Sequence, residues 1–524
     1  MKPILTMDFE TDPFKHGRRV YPFAVGVYGD SGFYSCWSRA CVKHLLEYLK
    51  KLPPSVIYMH NGGRFDIFFL MAALDAQMKS IKGRVVEAQL GEHLVRDSFA
   101  ILPMALAQYK KDEIDINKLN RENREQNKEE ILSYLRGDCV YLHELVSGFL
   151  SEFGEYLTIG SAAMGQLRKF HPFDKGSKYL DDKFRKQFFF GGRVQCFRAG
   201  VIEQPFKIYD VNSMYPYVMK NFKHPTGGSY ELDTRIRNNT YFIVAEGRQR
   251  GPYGAFPIRN RSGGIDFNVE RGTFATTIHE WNAAEEAGYF RPSKILKTYS
   301  FSDSICFDEF VDHFYSARLK AKAEEDRLHE IFYKFILNSA YGKFAQNPDN
   351  FADWAITQNE RLAAPWREHF IHRKGKYVIW KKGVNRHSYY NVCIGASITG
   401  AARATLMRAI RFSEKPLYCD TDSIIASELK GVSFDSTQLG AWKLEGSGDR
   451  IAIAGKKMYS CWQNGELVKK ATKGAKLTAD EILAVEQGKT VTYKNAAPTF
   501  KLNGRVDFIT RKIKRTVDDV GRRI

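Results

Sequence analysis

LYCDTDSII, Leu417 to Ile425, places two aspartates one residue apart between apolar runs. The flanks are strand-forming, so the segment reads as a buried strand that ends in acids. A carboxylate in such surroundings is costly unless a cation meets it. The fold and the chemistry both turn on which cation meets Asp420 and Asp422.

The chain has 524 residues, enough for two or three domains with ample burial in each. Its net charge of +19 is spread along the whole length and suits a polyanionic partner, nucleic acid being the commonest, although solvated lysine faces also give such a balance. Eight cysteines form no CxxC pair, which argues against a zinc ribbon or a disulfide framework. Cys36, Cys41 and His44 lack a fourth ligand at suitable spacing, and the reduced cytosol is expected. No segment reads as a signal peptide or a membrane span, so the protein is expected to work where it is made.

Strand and helix patterns alternate through residues 1–150, with a helix near Val42 to Lys51 and the strand SVIYMH. The charge run Asn120 to Glu130 reads as a solvated helix face. Residues 151–205 are helical, then Phe-rich, ending in FFFGGR; a helical stretch follows from Phe310 to Phe344, and the helix ITGAARATLMRAI precedes LYCDTDSII.

In MDFET, Asp8 and Glu10 share one face of a strand while Phe9 points to the core. NGGRFD adds Asp66 after an apolar strand, and YLRGD puts Tyr134 and Asp138 one helical turn apart. Four carboxylates and a phenol form the ligand set for two-metal hydrolysis of a phosphodiester. In this order the pieces resemble the three exonuclease motifs of family-B DNA polymerases. The resemblance implies that Asp8, Glu10, Asp66 and Asp138 bind metal and that Tyr134 orients the attacking water. It implies that Asn61, Phe65, Ser98 and Phe99 hold frayed single-stranded DNA. Lys111 matches a supporting lysine of the family, with Lys110 competing for that role.

A polymerase site should then follow. IYDVNSMYP resembles motif A, making Asp210 a metal ligand with the Val211 carbonyl, and Tyr215 the residue beneath the sugar of the incoming nucleotide. YKFILNSAYGKF matches motif B, with Lys334, Asn338 and Tyr341 at i, i+4 and i+7, a cation for polyphosphate and a ring for the nascent base pair. Arg318 and Lys322 resemble the basic pair that fingers aim at the triphosphate. LYCDTDSII matches motif C, with Asp422 as the second metal ligand and Asp420 the nearby carboxylate. Lys457 and Tyr459 of GKKMY resemble the primer-strand contacts of the KxY motif. Gly191 and Gly192 resemble the YxGG segment, with Phe190 replacing its tyrosine, and would approach template phosphate.

The spacing from Asp210 to Lys334 is 124 positions and from Lys334 to Asp420 is 86, each longer than the intervening elements need. Insertions there resemble the terminal-protein regions of protein-primed polymerases of linear-genome phages and adenovirus, and the sequence as a whole resembles the tectivirus type. The implied fold is a multidomain α/β and α+β chain. An RNase H-like 3′-5′ exonuclease spans 1–150, a connecting segment 151–205, and palm and fingers 206–455. Within the last lie fingers at about 306–345 and insertions at about 225–305 and 346–390, and a thumb occupies 456–524. Implied cofactors are two Mg²⁺ per site, with Mn²⁺ as a substitute. Implied partners are template-primer and single-stranded DNA, dNTPs and a terminal protein whose hydroxyl primes synthesis. A monomer in the cytoplasm of an infected bacterium, elongating with strand displacement, is expected. A DNA-primed polymerase and a non-catalytic DNA-binding protein are the competing readings.

Overall fold

The computed structural model describes residues 2–12, 20–74, 77–173, 182–226, 228–260, 263–346, 351–357, 370–374, 377–383, 390–472, 474–495, 499–500 and 506–515. In the N-terminal sheet, Ile4–Thr11 runs parallel to Val56–Met59, which runs parallel to His93–Asp97. Pro22–Gly29 and Gly32–Trp37 extend one side antiparallel, Arg84–Leu90 and Gln77–Ile81 the other. Strand alternation decides what faces what. Met7 and Phe9 enter the core shared with the helix Cys41–Leu49. The opposite face meets the long helix Lys128–Phe153, where the Thr6 hydroxyl donates to the Cys139 carbonyl at 2.7 Å. Asp8 and Glu10 therefore face the helix that carries Tyr134 and Asp138.

Two expectations change here. Residues 121–127 form turns, and the helix starts only at Lys128. Most of the run is exposed as expected, Arg121 included, but Arg124 is buried, and both arginines bond Asp12. The N-terminal sheet also does not end within residues 1–150. Phe351–Thr357 pairs antiparallel with Gln77–Ile81, and Tyr377–Gly383 and Phe370–Lys374 follow, giving ten strands in one sheet. The expected second insertion thus builds onto the first domain; its stretches 347–350, 358–369 and 384–389 lie outside the described residues.

The expected helical stretch at 310–344 is a hairpin, Asp308–Ala323 and Arg327–Ser339, followed by the short helix Tyr341–Phe344. Glu325 turns the chain at φ +59°, and Asp326 caps the second helix through His329 N–H. Phe314 and Phe332 pack against Phe149 and Phe153, so the hairpin stands on the long helix of the first domain.

The second large sheet is antiparallel throughout, with seven strands centred on Gly200–Val211. Ser423–Ala426, Tyr418–Asp420 and Val194–Cys196 lie on one side. Trp442–Gly455, Met458–Gln463 and Glu466–Ala471 lie on the other. The boundary expected at 455/456 falls in a hairpin of this sheet, which continues to Ala471. The helix Val392–Arg411 owes its almost complete burial to its small residues: a Cβ on Gly400 would stand 2.3 Å from the Thr277 hydroxyl.

Residues 230–301 form a four-stranded sheet with the helix Ile278–Ala287, and this unit packs on Val392–Arg411. A buried ion pair fixes the contact, Arg403 donating to both Glu280 oxygens at 2.7 and 2.9 Å and to the Phe190 and Gly191 carbonyls. Replacing Arg403 by Leu leaves Glu280 uncompensated and should cost about 3–5 kcal/mol in denaturant unfolding. Arg403→Lys should recover only part of this, because lysine lacks the planar fork.

Candidate functional site

Strand register brings the motif acids of the second sheet together. Asp210 lies opposite Ser423 on one neighbour and Lys443 on the other. Asp422 sits in the two-residue turn between Asp420 and Ser423, its carbonyl accepting from Val211 N–H at 2.8 Å. Thr421 in that turn has φ +60°, strained for a β-branched residue. Its N–H donates to the Arg193 carbonyl, its hydroxyl bonds Asp420, and it presses on Gly192, where a Cβ would lie 2.6 Å from the Thr421 oxygen. Gly192 is thus required by packing against the acidic turn, whereas a Cβ on Gly191 would meet nothing.

The two aspartates of LYCDTDSII have different surroundings. Lys457 Nζ bonds both oxygens of Asp420 at 2.7 Å, so a protein cation already meets this acid. Asp422 instead shares with Asp210 a cavity of about 320 Å³, walled by Val211, Tyr215, Arg318, Lys322, Lys334 and Asn338. Burial, then the Asp422 charge, raises Asp210 to about 7, against the pull of Lys443. Burial raises Asp422 to about 6, against its own backbone N–H, with the Asp420 charge adding to the rise. Lys443 Nζ stands 3.6 Å from Asp210 and 3.2 Å from Glu445, and Lys469 holds Glu445 from the far side at 3.0 Å. Burial, then Arg318, depresses Lys334.

Tyr341 stacks on Tyr215 with ring centroids 3.8 Å apart. Tyr459 is buried, 4.9 Å from Tyr418 between centroids, and Lys457 N–H donates to the Tyr418 hydroxyl. Sequence reasoning missed Lys443, Glu445 and Lys469; no motif marks them, and only the register of Trp442–Gly455 against Gly200–Val211 brings Lys443 to Asp210.

In the first domain, Asp8, Glu10, Asp66 and Asp138 converge beneath the long helix. Burial, then Asp138, raises Asp8 to about 7; burial, then Asp8, holds both Glu10 and Asp66 well above the usual carboxylate range. Among the described residues Asp66 Oδ1 and Asp138 Oδ1 are buried without a hydrogen-bond partner. Lys111 donates to Asp138 at 3.0 Å and lies 5.2 Å from the Tyr134 ring centre; Lys110 pairs instead with Glu144 at the surface. Burial depresses Lys111, but Tyr134 and Asp138 outweigh it and hold the ammonium above its usual range. Burial pushes the Tyr134 phenol up to about 12, with Lys111 opposing.

Asn61 has φ +59° and accepts from Arg84, which also pairs with Asp97 at 2.5 Å and lies 4.4 Å from the Phe99 ring centre. A Cβ on Gly63 would collide with the Val85 carbonyl, so the NGGRFD turn is pinned on Arg84–Leu90. Phe65 packs edge-on against Phe69, and the Ser98 oxygen lies 3.0 Å from His60 Nδ1. Arg84, which ties Asn61 to Phe99, was not legible in the sequence.

Orphaned carboxylate oxygens in the first domain, and acids raised by burial and neighbouring carboxylates at both sites, fit hard divalent cations. Among the described residues no three His, Cys, Asp or Glu side chains close into a cage of metal-ligand geometry. The Cys36 sulfur lies 3.3 Å from His44 Nδ1 in no such group.

Residues 106–430 match the family described as DNA polymerase type B, organellar and viral. The DNA-directed DNA polymerase of Enterobacteria phage PRD1 is 45% identical over 551 aligned residues, covering 98% of either chain. A probable DNA polymerase of Neurospora intermedia is 24% identical, over 63% of this chain and 37% of that one. Among solved structures, Phi29 DNA polymerase superposes with a TM-score of 0.73 at 19% identity, covering 98% of this chain and 100% of the other. The Phi29 complex with primer-template DNA and incoming nucleotide substrates gives 0.73 at 18% identity and the same coverage.

Proposed function

This chain belongs to the type B DNA polymerases of organelles and viruses and is a DNA-directed DNA polymerase, and from that premise we propose that it replicates a linear phage genome from a protein primer, with proofreading. The carrying observation is the cavity in which Asp210 and Asp422 meet beneath Arg318, Lys322, Lys334 and Asn338. Divalent cations bound there lower the pKa of an attacking hydroxyl and neutralise developing phosphate charge.

The side chains supply the rest. Lys334, Arg318 and Lys322 draw the triphosphate into the cavity. Tyr215, stacked on Tyr341, lies beneath the sugar of the incoming nucleotide and excludes a 2′-hydroxyl by its bulk, and the Tyr341 ring lies against the nascent base pair. Lys457 bonds both oxygens of Asp420, whereas Lys443 stands only 3.6 Å from Asp210 and is shared with Glu445, so Asp210 and Asp422 are the acids that would hold metal. The attacking group is a terminal-protein hydroxyl at initiation and the primer 3′-OH afterwards. In the first domain, Lys111 holds Asp138 beside Tyr134, which orients water for 3′-5′ hydrolysis on the carboxylates Asp8, Glu10, Asp66 and Asp138, while Asn61, Phe65, Ser98 and Phe99 guide the frayed strand. Residues 206–471 serve as palm and fingers, 225–305 and 346–390 as terminal-protein regions, and the C-terminal segment as thumb. Strand displacement rests on the second insertion, whose strands extend the exonuclease sheet.

The test mixes the polymerase, the candidate terminal protein of the same genome, a labelled dNTP and Mg²⁺. Label bound to protein through denaturation is the expected result. Label found only on an added DNA primer removes protein priming.

A further inference from the structure

Where Ile4–Thr11 ends, a second cavity of about 300 Å³ opens, lined by Asp12, Tyr21, Phe23, Arg39, Arg121 and Arg124. Asp12 follows Glu10 by two residues, about 7 Å of extended chain. Thr11 pairs with Pro22 and Glu10 with Ala24, so Tyr21 and Phe23 flank the same strand end. Arg121 and Arg124 precede the helix that carries Tyr134 and Asp138.

Two guanidiniums meet one carboxylate, and a third, Arg39, lines the same cavity. Asp12 takes two hydrogen bonds from Arg121, at 2.8 and 2.7 Å, and one from Arg124 at 2.6 Å. Arg124 is 8% exposed and lies 4.4 Å from the Phe23 ring centre, and only one nitrogen of its guanidinium is bonded among the described residues. Arg39 has no hydrogen bond or ion pair among the described residues, and Tyr21 stands 54% exposed beside it. A latch for the start of the helix needs Asp12 and its two arginines; it does not need Arg39 or an open tyrosine ring. Spare guanidinium donors facing a cavity suit phosphate oxygens, and an exposed ring beside them suits a base.

We propose that this cavity is a subsite for a backbone phosphate of single-stranded DNA leading to the Asp8–Glu10 carboxylates, an inference that rests on the exonuclease reading. Arg39 and Arg124 hold the phosphate, and Tyr21 stacks on the adjoining base. Asp12 orients Arg124.

Full-length protein carrying Arg39→Ala tests this, because Arg39 makes no hydrogen bond or ion pair among the described residues whose loss would unfold the chain. Binding of labelled (dT)8 and of a primer-template duplex is measured in EDTA across a salt series. The expected result is a loss of about tenfold for (dT)8, a salt slope shallower by about 0.7, and unchanged duplex affinity. Unchanged (dT)8 affinity, or an equal loss on duplex, overturns the subsite. Selective loss supports it even if wild-type protein does not degrade (dT)8 in Mg²⁺, a failure that would strike the exonuclease reading alone.

Discussion

Asp422→Ala should lower nucleotide incorporation on a primed template by about 10³-fold or more, because an aligned metal ligand acts where transition-state charge develops. Asp420→Asn should cost far less, roughly tenfold, since Asp420 is bound by Lys457 and acts by fixing the turn. The contrast separates the two aspartates of one tripeptide: Asp422 opens on the cavity and Asp420 does not line it. Degradation of a single-stranded oligonucleotide serves as the folding control, and in both variants it should stay within roughly twofold of wild type, because the carboxylates of the first domain share no partner with the turn. Steady-state incorporation with saturating dNTP and Mg²⁺ measures the effect. Equal losses at the two positions would remove the assignment.

Much of the candidate chemistry was legible because acids that share a cation must stand at fixed spacing on a rigid element, and spacing is written locally. DFE, YLRGD and DTD carry their geometry in three to five residues. The helix face holding Lys334 and Asn338 is equally local. What the sequence hid arrives through register and long-range packing. Lys443 reaches Asp210 only because two strands pair in one frame, and a one-residue slip would turn it to the other face. Phe351–Thr357 finds the open edge of Gln77–Ile81 across some 270 positions, and no local pattern names the partner of an edge strand. Charge runs mislead for a related reason: Arg124 looks solvated until a distant aspartate claims it. The glycines of FFFGGR show the same limit. Their sequence suggests close approach by DNA, while Gly192 is already required by Thr421.

Asp66→Ala should abolish exonuclease activity, by about 10³-fold, while raising the stability of the metal-free protein at pH 8. The sign follows from proton linkage. Asp8 is raised to about 7 by burial and then by Asp138, and Asp66 and Glu10 are raised by burial and then by Asp8. A carboxyl whose folded pKa exceeds its unfolded value near 4 binds its proton more tightly when folded. Its stabilisation is complete below the unfolded value and is lost as pH rises through the folded one. At pH 8 the metal-free site therefore carries more buried negative charge than Lys111 alone offsets, and among the described residues Asp66 Oδ1 and Asp138 Oδ1 have no hydrogen-bond partner. Deleting Asp66 removes one such charge and its repulsion on Asp8. The gain should appear as a melting temperature at least about 2 °C above wild type in EDTA, roughly 1 kcal/mol for a domain of this size. Adding Mg²⁺ should raise wild type more than the variant, because the ion stabilises only the state that binds it. At pH 5, where the raised groups keep more of their protons, the difference in EDTA should shrink. A variant that melts below wild type at pH 8 in EDTA, or that gains as much from Mg²⁺, would show that Asp66 is held by the fold for some purpose other than meeting a cation.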